Sequence, residues 1–125
     1  MLIDTHCHLN LDRFENDLRD VIIRARNAGV VNIIVPGIDL ETSKRAIQIS
    51  NEFPEVYAAI GIHPNSLDEY NHGDIDKIRK LAEHPKVISI GEIGLDYFHK
   101  RASKKLQIST FIEHLDLARE LNLPV

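Results

Sequence analysis

The chain has 125 residues, 43% hydrophobic and 27% charged, with 15 basic against 19 acidic side chains and a net charge of −4. That length fits one domain, and the composition is that of an ordinary globular chain. The negative balance excludes a protein whose whole surface binds nucleic acid, though not an enzyme with a local basic rim. No apolar run approaches the ~18 residues of a membrane span. The single cysteine, Cys7, excludes an internal disulfide framework and fits a reducing compartment. With no signal-peptide pattern behind Met1, the expected location is the cytoplasm.

The first predicted strand covers residues 2–9. Residues two apart on a strand share a side, so His6 and His8 project together with Asp4 behind them. Two imidazoles spaced this way at a strand end can grip one metal ion, with Asp4 as an outer hydrogen-bonding partner. Cys7, on the opposite face, is expected to be a small buried side chain.

Phe14, Leu18, Val21, Ile22 and Ala25 then recur at helical spacing, with Asn16 or Asp12 as possible caps and Gly29 at the end. Residues 30–35 are apolar and β-branched except for Asn32 and show no alternation, as in a strand buried on both faces, and Pro36-Gly37 closes them. Asp39 or Thr42 opens a second helix burying Ala46, Ile49 and Phe53, stopped by Pro54. Residues 56–62 form a third strand ending at His63-Pro64. Asp74 is expected to cap a third helix, which buries Ile75, Ile78, Leu81 and Ala82. Residues 87–92 read as strand four. A loop leads to the longest helix, expected to bury Phe111, Leu115, Ala118 and Leu121, and Leu123-Pro124-Val125 looks like the onset of a fifth strand.

Strands alternating with helices imply a parallel sheet with right-handed crossovers. Two architectures fit: an open doubly wound sheet, or part of a (β/α)8 barrel. No glycine-rich phosphate loop follows strand one, which weakens the dinucleotide-binding version. A full barrel takes ~250 residues, about twice this chain.

In such folds the ligand site lies at the carboxyl ends of the strands. His6 and His8 end strand one, Asp39 follows strand two, His63 ends strand three, and Glu92 ends strand four ahead of Asp96 and Tyr97. Glu92 follows a mostly apolar strand and sits among glycines, where a carboxylate is poorly solvated without a cation. His6, His8 and Glu92 are the candidate metal ligands. His72, His84, His99 and His114 are expected on the surface.

These blocks resemble the TatD family of metal-dependent deoxyribonucleases, within the amidohydrolase-like (β/α)8 barrels. The resemblance rests on Asp4-Thr5-His6-Cys7-His8-Leu9, on Gly61-Ile62-His63-Pro64, on Gly91-Glu92-Ile93-Gly94-Leu95-Asp96-Tyr97, and on the approach to strand five through Leu117 to Val125. It implies that residues 1–125 supply roughly the first four βα units, the N-terminal half of one barrel domain. It also implies a two-metal phosphodiesterase that trims DNA ends, with His6 and His8 on one divalent ion and Glu92, the catalytic carboxylate, bridging to a second. Zinc, manganese and magnesium are not distinguished by these ligands. His63 at the rim, and Lys104 and Lys105 in a basic stretch from His99 to Lys105, are candidate substrate contacts for DNA phosphates.

The later family ligands, histidines after strands five and six and an Asp after strand eight, have no counterpart here. Three ligands suffice for one ion but not for the two-metal site. The open edges of strands one and four invite self-association or complementation by a second half-barrel. The competing readings are a sister hydrolase acting on a small amide, lactone or ester, and a non-catalytic half-barrel.

Overall fold

The computed structural model describes residues 1–125. Four strands, β1 (Leu2–Asp4), β2 (Val30–Pro36), β3 (Val56–Ile60) and β4 (Val87–Ile90), alternate with four helices, α1 (Leu18–Asn27), α2 (Leu40–Glu52), α3 (Asp74–Leu81) and α4 (Lys104–Leu121). Every strand pair is parallel and the order is β1-β2-β3-β4. This order decides between the two architectures. Right-handed crossovers that always step in one direction put every helix on the same face, which is the singly wound path of a barrel. A doubly wound sheet needs a reversal, and there is none.

One apolar layer fills the space between sheet and helices. Ile33 and Val35 of β2, Val56, Ala58 and Ile60 of β3, and Ile90 of β4 meet Ile22 of α1, Ile49 of α2, Ile78 of α3 and Leu117 of α4. The other face of the sheet, with Ile34, Ala59 and Ile88, borders an open cleft of about 560 Å³ that His6 and Glu92 also line. The expected onset of a fifth strand is not a strand here: residues 123–125 are irregular, and the Ile90 N–H donates to the Pro124 carbonyl at 2.9 Å beside β4.

Several local expectations shift. Strand one is three residues long rather than eight: beyond Asp4 the Cys7 N–H, donating to Ile34 O at 3.1 Å, is the one main-chain bond that keeps the chain beside β2. Phe14 lies in a separate 3-10 turn (Asp12–Phe14), and α1 starts at Leu18 with Asp17 ahead of it. Asp39 does cap α2, in a reciprocal capping box with Thr42. Asp74 is the first residue of α3 instead of its cap, and its carboxylate accepts from the Asn71 N–H at 2.9 Å. In α4 the buried face is Gln107, Thr110, His114, Leu117 and Ala118. Phe111 is only partly buried and Leu115 is exposed. The helix carries apolar side chains around much of its circumference, so periodicity alone mis-set its phase. Cys7 is half-buried, packs against the core, and has its thiol pKa raised by burial and by the nearby Asp4.

Candidate metal centre

The carboxyl ends of the strands are laced by backbone hydrogen bonds. Gly37 N–H donates to Ala59 O at 2.9 Å, Gly91 N–H to Ile60 O at 2.8 Å, and Glu92 N–H to Gly37 O at 2.8 Å. Gly37 and Gly61 on this rim have no room for a side chain. A Cβ at Gly37 would meet Ser43 Oγ at 2.2 Å and Ser43 Cα at 2.7 Å, and one at Gly61 would meet Ile93 Cγ2 at 2.8 Å. The fully buried Ser43 of α2 hooks the Gly61 peptide, 3.3 Å from both its N and its O. Asn10 ties the chain after β1 to the same rim, donating to Pro36 O and Thr42 O, each at 2.9 Å. The Gly91–Glu92 peptide is cis.

On this frame His6, His8 and Glu92 converge. The two Nε2 atoms are 3.1 Å apart, and Glu92 Oε2 lies 3.4 Å from His6 Nε2 and 3.3 Å from His8 Nε2. A divalent ion bound at ~2.0–2.1 Å by three such atoms sets them ~3.0–3.4 Å apart. The triangle therefore has the dimensions of a ligand set, and two imidazoles with a carboxylate are suitable donors. The residues fit a divalent cation. Asp4 does not reach either ring: its carboxylate accepts from the His6 backbone N–H at 3.1 Å, so it shapes the main chain.

His63 joins the same rim. Its Nε2 lies 3.6 Å from Glu92 Oε1, and its Nδ1 accepts from the Asn65 N–H at 3.0 Å. An accepting Nδ1 on a neutral ring leaves the proton on Nε2, so His63 presents a donor beside Glu92. Lys104 and Lys105 stand exposed in the first turn of α4, away from the triangle in sequence, with Lys104 Nζ 4.8 Å from the centre of the Tyr97 ring. Of the other histidines, His72 and His99 are exposed and His84 is half-buried, but His114 is fully buried with Nδ1 on Thr110 O at 2.8 Å.

Sequence reasoning missed a second cluster. The Asp96 carboxylate accepts from Asn65 Nδ2 at 2.8 Å, from the Phe98 and His99 N–H groups at 3.0 and 2.9 Å, and pairs with His99 Nδ1 at 2.7 Å. These donors, the His99 N–H first, hold its pKa well below the usual carboxylate range. Gln107, buried on α4, accepts from Asp96 N–H at 2.7 Å and donates to Asp96 O and Ala102 O at 3.0 Å each. The only hint in the sequence is a glutamine and a threonine recurring in phase with Leu117.

Fold and rim together are those of the N-terminal half of a (β/α)8 barrel with a candidate histidine–carboxylate centre at the carboxyl ends of its strands. The chain belongs to the TatD-related DNase family, whose pattern it matches over residues 3–125. It is 42% identical over 125 residues to a Bacillus subtilis protein named as the uncharacterized metal-dependent hydrolase YabD, covering 100% of this chain and 49% of that one. It is 31% identical over 124 residues to the 3'-5' ssDNA/RNA exonuclease TatD of Escherichia fergusonii, covering 99% and 48%. The crystal structure of the TatD homologue YjjV from Escherichia coli superposes with a TM-score of 0.88 at 34% identity, covering 99% of this chain and 49% of that one. The chain thus spans about half the length of the relatives it matches.

Proposed function

We propose that this chain carries the first-metal half of the active site of a divalent-metal-dependent phosphodiesterase that trims single-stranded DNA ends. The observation that supports it most is the His6–His8–Glu92 triangle, in a family with exonuclease relatives. In this reading residues 1–125 form half of one barrel domain. His6, His8 and Glu92 would hold one divalent ion, with Glu92 as the carboxylate able to serve a second. Such ions would supply polarisation of the phosphoryl group and a bound water of lowered pKa. His63 donates its Nε2 proton toward a phosphate oxygen beside Glu92, while Lys104 and Lys105 neutralise the phosphates of the incoming strand. No helix is long and apolar enough to cross a membrane, and the single cysteine fits a reducing compartment such as the cytoplasm.

A second reading has its own observation. The edge strand β1 leaves Leu2 60% and Ile3 56% exposed, and α4 leaves Ile112 51% exposed. Such surfaces fit association with a second half-barrel or with a copy of the chain. The test assays end-labelled single-stranded DNA and a panel of small esters and amides, with the chain alone and mixed with the second half of a relative. Metal-dependent shortening of the DNA that His6→Ala abolishes supports the nuclease. Turnover of only the small substrates overturns it. Sedimentation over a concentration range tests the association reading, and a folded monomer throughout contradicts it.

A further inference from the structure

The loop from Leu95 to Lys105 carries a feature that neither the triangle nor the lysines explain. Phe98 is 86% exposed and Tyr97 is 41% exposed, in a segment whose one acid, Asp96, is engaged by its own loop and by Asn65. Around them stand Lys100, Arg101, Lys104 and Lys105, none of which has a carboxylate partner. Lys104 and Lys105 open α4 with no acid in its first turn, against the preference of a helix N-terminus. Tyr97, Lys100, Arg101 and Lys104 line a cleft of about 380 Å³.

A lone exposed phenylalanine is unremarkable on most surfaces. This one is held in place. Asp96 Oδ1 fixes the Phe98 and His99 N–H groups, the His99 ring stands edge-on to Phe98 with centroids 4.9 Å apart, and Gln107 anchors Asp96 to α4. The same carboxylate holds Asn65, whose N–H holds His63, whose Nε2 faces Glu92. An aromatic residue with an anchored backbone is thereby linked to the rim through Asp96, Asn65 and His63. Aromatic faces interleaved with unpaired cations are the combination that binds single-stranded nucleic acid, bases stacking and phosphates neutralised.

We propose that Phe98 is a base-stacking residue, a platform on which one unpaired base of a single-stranded polynucleotide rests while Lys100, Arg101, Lys104 and Lys105 hold the flanking phosphates. The proposal rests on the phosphodiesterase reading and adds the residue that selects single strands, because the bases of a duplex already stack on each other.

The chain contains no tryptophan, so Phe98→Trp introduces a sole tryptophan at the proposed contact, excited selectively over the three tyrosines. The full chain with this substitution is titrated with short oligothymidylate, with a duplex, and with phosphatidylserine vesicles. The proposal expects strong quenching by the single strand alone, and a Phe98→Ala variant of unchanged circular dichroism that binds the single strand about 5- to 100-fold more weakly. Single-strand binding without quenching and with no loss in Phe98→Ala overturns it, leaving a patch that acts through charge. So does equal quenching by duplex, or a blue shift with vesicles and no response to DNA. If no DNA binds at all, the stacking platform falls. A manganese titration of the same sample then shows separately whether the His6–His8–Glu92 reading survives.

Discussion

Asn65 Nδ2 donates to Asp96 Oδ2 at 2.8 Å, joining the loop after β3 to the loop after β4. The contact spans 31 residues and connects the segment that aims His63 to the segment that follows Glu92. Asp96→Asn cannot accept as well from the four donors it serves. It lowers Tm at neutral pH and loosens the loop, measured by amide hydrogen exchange at Phe98 and His99. The sign of the pH effect follows from the depressed folded pKa. The stabilisation is present above the unfolded value, about 3.9, and is lost as pH falls below it. The Tm difference between Asp96→Asn and the parent chain therefore narrows in acid; a difference that widens there contradicts this assignment.

Gly37 has no room for a side chain against Ser43, whose Cα would lie 2.7 Å from the added atom. Because that atom is backbone, α2 itself must move. Gly37→Ala is expected to cost at least about 1–3 kcal/mol by urea denaturation. Its carbonyl receives the Glu92 N–H, so metal affinity falls as well. A variant of parental stability rules out the steric account.

Gln107 is 1% exposed and serves three backbone groups. Gln107→Leu keeps the volume but leaves Asp96 N–H, Asp96 O and Ala102 O without their partner. The expected loss is about 1–3 kcal/mol in chemical denaturation, with Gln107→Glu recovering the bond from Asp96 N–H but not those to the carbonyls.

His114 gives the fold a second pH dependence. Burial pushes its imidazole below the ordinary value near 6.5, opposed by its bond to Thr110 O and by the Glu113 charge. The folded state thus prefers the neutral ring. Stability is full above the unfolded pKa and declines as pH falls through the folded one. Thermal denaturation from pH 7 to 5 should show a fall that His114→Gln reduces. An identical slope in the variant rejects the claim.

The alternation of strands and helices was readable because each strand is an apolar run with a turn residue behind it, as Val30 to Pro36 shows. Choosing barrel over open sheet rested on the resemblance carried by the Asp4–Leu9 and Gly91–Tyr97 blocks, since strand order is set by long-range pairing that no local pattern encodes. His6, His8 and Glu92 stood out as polar residues at the ends of apolar runs. The strand argument for the histidines was only partly right. They lie beyond the three-residue β1, and their rings meet in the extended segment that follows. Asn10, Ser43 and Gln107 were invisible for the opposite reason. They position backbone through buried hydrogen bonds, and a buried polar residue in a sequence looks like a surface one. His114 was misplaced on the surface by the same blindness.

The most direct measurement is calorimetric titration of the metal-stripped chain with manganese and with zinc, beside His6→Ala/His8→Ala and Glu92→Gln. The account predicts saturable uptake of about one ion per chain by the parent, since three protein ligands define one position. It predicts none by the double variant and much weaker uptake by Glu92→Gln, all three with the same circular dichroism. A parent chain that takes up no metal, or a double variant that binds as the parent does, contradicts the central claim that these three side chains form a metal centre.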